Sequence, residues 1–295
     1  MVLYNPKEWL TAIFRFHKSD TFRTLLASII FIAAYSWGIV YLEREYLKLG
    51  DTSYAKNLTI LHSLLGFAIS MLLVFRTNTA YERWWEGRKL WGSLVNNSRN
   101  LAIKLNVFIP SGNQHSRVFF KQIIPLYAFA LKRHLLKETT QFALDENPHP
   151  ELPELNTATH LPNRIAESVL KEIMTLHQNK QIDDFQLLML NNEWQSLTDI
   201  CGACERIKNT PIPYSYSSFI KKFIFLYIIT MPLGFALTLG YFTIPVTAFM
   251  FYILASLELI AEEIEDPFGT DSNDLPMGKI AENIRANVCD ILVCQ

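Results

Sequence analysis

The apolar run Gly66-Phe67-Ala68-Ile69-Ser70-Met71-Leu72-Leu73-Val74-Phe75 passes without a stop signal into Arg76-Thr77-Asn78-Thr79-Ala80-Tyr81-Glu82-Arg83-Trp84-Trp85-Glu86. Proline is absent from 53–109, so no backbone block interrupts a helix there. The pattern predicts one helix that starts apolar enough for a bilayer and continues as a charged, aromatic-rich rod. Such an element can line a membrane path at one end and build a soluble body at the other. Phe67, Met71 and Phe75 recur every fourth residue, so they stack on one face. In a ring of subunits that face makes three apolar collars; in a packed bundle it is a core face. Another face holds Gly66 and Ser70, with Ser63 nearby, and small residues let helices approach closely in lipid.

Four stretches are apolar enough to span: 22–42, 58–75, 223–242 and 244–260. Between the second and third lies a polar region too long for a loop. Segments 115–137, 163–179 and 182–208 repeat apolar residues at helical spacing there, while the Pro-rich stretch 146–153 reads as a loop. Pro211 and Pro213 close this region, and Pro232 kinks the third span. No run alternates long enough for a sheet, so the class is all-α. Residues 1–20 mix Trp9, Phe14 and Phe16 with charges, which suits a helix lying at the membrane surface rather than a signal peptide.

Basic residues follow the second span: Arg76, Arg83, Arg88, Lys89, Arg99 and Lys104 against Glu82 and Glu86. The positive-inside tendency therefore puts both termini and the large helical region in the cytoplasm of a multi-pass inner-membrane protein. Trp84, Trp85 and Trp91 beside these charges suggest an interfacial belt. A net charge of −1 gives no basic bias toward nucleic acid. The expected organisation is an interfacial helix over 1–21, two membrane helices with a pore neck over 22–76, and a cytosolic helical region over 77–214. Two further membrane helices follow over 215–264, then an acidic turn and C-terminal helix over 265–295.

Three features could carry chemistry. Cys201-Gly202-Ala203-Cys204 is a CxxC on a helical stretch, without a second pair at zinc spacing or a preceding strand. A membrane-anchored redox or metal protein using Cys201 and Cys204 is one alternative, and a non-conducting helical scaffold is another. Glu258, Glu262, Glu263, Glu265, Asp266, Asp271 and Asp274 crowd the end of the fourth span, where Pro267 stops the helix and Gly269 permits a turn. This is either a calcium-binding turn rich in oxygen donors or a solvated acidic helix end paired with arginines across a subunit contact. There is no phosphate-cradling glycine loop, no HExxH and no nucleophile with an obvious base, so the chain does not read as an enzyme.

Taken together, Gly66 to Asn78, Tyr81 to Gly92, Gly202-Ala203-Cys204-Glu205-Arg206, Thr210-Pro211-Ile212-Pro213 and Ala261 to Thr270 resemble the bestrophin family, specifically its prokaryotic branch. The resemblance implies a homopentamer around one pore, with four membrane helices per subunit and a helical cytosolic vestibule, held in membrane lipid and passing monovalent ions. It implies a hydrophobic neck at Phe67, Met71 and Phe75 and a cytosolic aperture near Phe185. Animal members are calcium-activated chloride channels, and their calcium clasp maps onto Glu263, Asp266, Asp271 and Asp274. Here Ser272 and Asn273 break the animal run of acids, and carboxylates stand at 263 and 266 where animal members supply backbone oxygens. Ca2+ is thus the one cofactor the resemblance suggests. Prokaryotic members are thought to pass monovalent cations, sodium included, which leans the selectivity toward cations although the neck itself carries no charge.

Overall fold

The computed structural model describes residues 21–48, 58–136 and 160–292; apart from Thr21, the expected interfacial helix over 1–21 lies outside the described residues. The described elements are helical: α1 (Thr21–Tyr41) with a π-helical turn at Leu42–Tyr46, α2 (Leu58–Phe108), α3 (Gln114–Leu136), α4 (Leu161–Gln178) and α5 (Asp184–Asn209). They continue as α6 (Tyr214–Leu239), a 3-10 turn at Gly240–Phe242, α7 (Thr243–Glu265) and α8 (Met277–Ile291). Among the described residues there is no strand. The proline-free stretch forms one helix, α2, of 51 residues.

Two compact units share these elements. The first takes the described residues up to Trp84, with Pro211–Asp266 and Asp271–Asn273; the second takes Trp85–Thr210, Pro267–Thr270 and the described residues from Asp274. Helix α2 therefore contributes its first part to one unit and its remainder to the other.

In the first unit, α1, the start of α2, α6 and α7 pack together. Thr21–Tyr46, Leu58–Phe108 and Tyr214–Glu265 are helical stretches long and apolar enough to cross a bilayer. The third divides at Gly240, whose φ of 57° turns the chain so that α7 packs back on α6. A core of Ile32, Ile69, Leu73, Ile220, Ile224, Tyr227, Ile228 and Leu254 joins all four helices. Hydrogen bonds supplement it. Tyr35 donates to the Ile229 carbonyl at 3.1 Å, in the turn before Pro232, and Thr59 donates to the Gly234 carbonyl at 3.3 Å. His62 bridges the Leu58 carbonyl (2.8 Å) and the Thr230 hydroxyl (3.0 Å). The Leu58 carbonyl can only accept, so Nδ1–H donates to it.

Helix α6 begins at Tyr214, next to the expected boundary at 215 and before the apolar stretch that starts at 223. Lys221 and Lys222 depress the apolar signal, but Lys221 donates to both oxygens of Glu262 on α7 at 2.9 Å, and the helix runs through them. The small stripe divides within the chain. Gly66 approaches α6, where an added Cβ would lie 3.0 Å from the Tyr227 hydroxyl. Ser63 and Ser70 stay exposed and bond carbonyls of their own helix.

In the second unit, α3 packs on α4 and α8, and α4 on α5. Trp91, Leu94, Phe120, Tyr127, Leu131, Val169, Leu190 and Leu197 are fully or almost fully buried there. Trp91 is thus a core residue rather than part of an interfacial belt; only Trp85 of the three tryptophans is largely exposed. Asp183 caps α5 through a reciprocal bond with Gln186, and His160 caps α4, its Nδ1 accepting from Asn163 N–H at 3.2 Å. Arg117 ties α3 to the end of α2 by donating to Asn106 Oδ1 (2.6 Å) and the Ile109 carbonyl (2.7 Å).

Candidate functional site

The first part of α2 has two unlike faces. His62, Ile69, Leu73, Arg76 and Ala80 are buried. Phe67, Met71 and Phe75, about half a turn away at 3.6 residues per turn, are 74%, 51% and 55% exposed. Leu64 and Val74 widen this uncovered apolar face. Of the two readings of the stripe, a core face within one chain is therefore ruled out.

The buried face ends in a charged knot. Arg76, only 1% exposed, places Nη2 2.7 Å from Glu265 Oε2 and Nε 3.6 Å from Glu258 Oε2. The second oxygen of Glu265 accepts from Ile212 N–H at 2.7 Å, and its backbone carbonyl accepts from Arg83 at 3.0 Å. Glu263 accepts from the Asn273 amide at 2.7 Å, while Trp84 donates to the Asn273 carbonyl at 3.0 Å. The acidic end of α7 is thus bonded to α2 and the following turn inside one chain, whereas the sequence suggested arginines of a neighbouring subunit. These contacts tie the base of the uncovered stripe to the end of α7.

Of the proposed calcium ligands, Glu263, Asp266 and Asp271 belong to the first unit and Asp274 to the second. Asp271 is exposed and Asp274 buried. Phe185 is the second residue of α5 and is 75% exposed, next to exposed Leu188 and Met189. An apolar patch therefore opens the α5 helix in the second unit.

Cys201 and Cys204 are buried free thiols on α5. Burial first, and then the Glu205 charge, push the Cys201 thiol up to about 12, and burial likewise raises Cys204. Both stay protonated at neutral pH, which disfavours thiolate chemistry. Beside them, Glu205 Oε1 lies 2.6 Å from His134 Nε2 and 2.7 Å from His160 Nε2. The two imidazole centroids are 4.3 Å apart. Burial pushes the Glu205 carboxyl up, but hydrogen bonds from His160 and His134 and their charge outweigh it and hold the carboxyl below its ordinary value. Among the described residues, these three side chains bring their donor atoms within 4.8 Å of one another.

The chain that carries this helix matches known proteins over nearly its full length. The sequence family described as bacterial/fungal bestrophin protein matches residues 1–290. The chain belongs to the bacterial/fungal bestrophin family. A protein of Synechocystis sp. named voltage-dependent anion channel-forming protein is 32% identical to this bestrophin, over 98% of the chain and 93% of that relative. Voltage-dependent anion channel-forming protein YneE of Escherichia coli (strain K12) is 29% identical over 98% of the chain and 93% of its own length. The crystal structure of a bacterial bestrophin homolog from Klebsiella pneumoniae superposes with a TM-score of 0.81 at 27% identity, covering 91% of this bestrophin and 98% of that chain.

Two parts of the bestrophin chain escaped the sequence reading. Arg76 and Glu265 stand 189 residues apart, and only the pairing of α2 with the end of α7 joins them. His134 and His160 stand 71 and 45 residues from Glu205. No short motif spans such separations; the histidines at the end of α3 and the start of α4 were the sole signal.

Proposed function

We propose that this bestrophin is an ion channel rather than an enzyme, assembled from five copies around a shared axis. Phe67, Met71 and Phe75 form its neck. The observation that carries this reading is the two-faced start of α2: one face buried and locked by Arg76, the other apolar and uncovered. A soluble-type core explains the first face. A path shared by several subunits explains the second, because uncharged collars gate by dewetting. The exposed Phe185 at the start of α5 serves as the cytosolic aperture. The protein spans the inner membrane four times, through α1, the start of α2, α6 and α7, with both termini and the helical region 77–214 in the cytoplasm.

The permeating species are monovalent ions. The names of the Synechocystis and E. coli relatives favour anions, whereas the prokaryotic-branch resemblance favours sodium. The neck side chains supply no charge of either sign. The reversal potential of reconstituted protein under a salt gradient gives the sign directly. Replacing Phe67, Met71 and Phe75 together by alanine is expected to raise single-channel conductance in planar bilayers, with the mass in detergent remaining that of five subunits. An unchanged conductance removes the neck, and a monomeric mass removes the channel.

A further inference from the structure

We propose that His134, His160 and Glu205 form a binding site for a borderline divalent transition metal of the zinc class. Three elements of the second unit supply the donors: the last turn of α3, the cap of α4 and the C-terminal part of α5. Two imidazole nitrogens and one carboxylate oxygen are the donor set of a zinc site whose fourth position is open to water. Imidazole donors exclude the hard-cation chemistry expected at the acidic turn, since calcium and magnesium take oxygen.

The geometry requires a small adjustment. Tetrahedral coordination at about 2.0–2.1 Å separates ligand atoms by roughly 3.3 Å. Here Glu205 Oε1 sits 2.6 and 2.7 Å from the two nitrogens, hydrogen-bonded where an ion would push them apart by about half an ångström. All three side chains are partly exposed, so an ion can enter and the rings can move. Metallation takes the Nε2 lone pair of each histidine. In His160 this moves the ring proton to Nδ1 and releases the bond from Asn163 N–H, which at 3.2 Å is long and exposed. The freed N–H belongs to the first turn of α4, where water replaces the cap. Cys201 lies one turn before Glu205, its thiol donating to Glu205 Oε1 at 3.8 Å, and orients the carboxylate from the buried side.

A bound ion would pin the ends of α3 and α5 to the start of α4. It is a structural cross-link, distinct from the permeating ions, and adds to the channel reading without depending on it.

The test is titration of tag-free, detergent-purified protein with Zn2+ and Co2+. Saturable binding of one ion per subunit, with Co2+ spectra of low-coordinate nitrogen and oxygen ligation and a rise in melting temperature, is expected. The double variant His134→Gln, His160→Gln should bind at least a hundredfold more weakly, and Glu205→Gln at least tenfold. Glu282→Gln, on the exposed face of α8, should bind as the wild type does. Circular dichroism in detergent verifies that each variant is folded. Absence of saturable binding to the wild type, or equal affinity in the folded double variant, overturns the site.

Discussion

Arg76 Nη2 lies 2.7 Å from Glu265 Oε2, joining α2 to the end of α7 across 189 residues of chain. The guanidinium is 1% exposed and the carboxylate 15%. Glu258, 5% exposed, faces the same guanidinium at 3.6 Å. Two carboxylates around one cation in an apolar setting stand or fall with that cation.

Arg76→Leu is therefore expected to destabilise the chain by about 3–5 kcal/mol, because it leaves buried carboxylates uncompensated. Glu262→Gln breaks a pair with Lys221 that is about half exposed on both sides, and should cost less than about 1 kcal/mol. Thermal unfolding in detergent compares the two; equal melting temperatures would contradict the role of the knot.

A charge at position 71 should set the sign of permeation if the uncovered stripe lines the path. Met71→Glu is expected to shift the reversal potential toward cations and Met71→Lys toward anions, under the same salt gradient. Ile69→Glu, on the buried face and 1% exposed, should instead abolish the folded yield. Identical reversal potentials for the two Met71 variants would mean that this side chain meets lipid.

Gly234 brings α6 against the start of α2. A Cβ there would lie 3.1 Å from Leu58 Cβ and 3.2 Å from the Thr59 backbone nitrogen. Gly234→Val should cost about 1–3 kcal/mol through overpacking. Gly38→Ala meets nothing within 4 Å and sits inside α1, so it should be neutral or stabilising by up to about 1 kcal/mol. Melting temperatures of the two variants order them.

The buried thiols should be inert. With Cys201 pushed up to about 12, its thiolate fraction at pH 8 is roughly one in ten thousand. Maleimide labelling of folded protein should therefore spare Cys201 and Cys204 while reaching half-buried Cys289 faster. Mass spectrometry of peptides reads the difference. Fast labelling of the CxxC would revive the redox alternative.

Much of the helical layout was legible because each helix advertises itself locally. The proline-free stretch 53–109 became α2, and the periodic segments after 115, 163 and 182 became α3, α4 and α5. The apolar stretch 223–242 covers only part of α6, because a hydropathy window counts Lys221 as polar without knowing that Glu262 receives it. Trp91 was misjudged because a tryptophan beside basic residues looks the same on an interfacial belt and in a core. The stripe at Phe67, Met71 and Phe75 was legible as a stripe, but whether a neighbouring helix of the same chain covered it was not.

Periodicity and the distribution of apolar residues determined, from the chain alone, that it is helical and that its membrane-suited segments frame a long polar region. They act within a few residues, where backbone geometry ties spacing to face. Tertiary structure alone decided which face of α2 is uncovered, that Arg76 pairs with Glu265, and that His134, His160 and Glu205 converge. Those outcomes depend on contacts between residues far apart in sequence, and no local pattern encodes which distant partner a side chain meets.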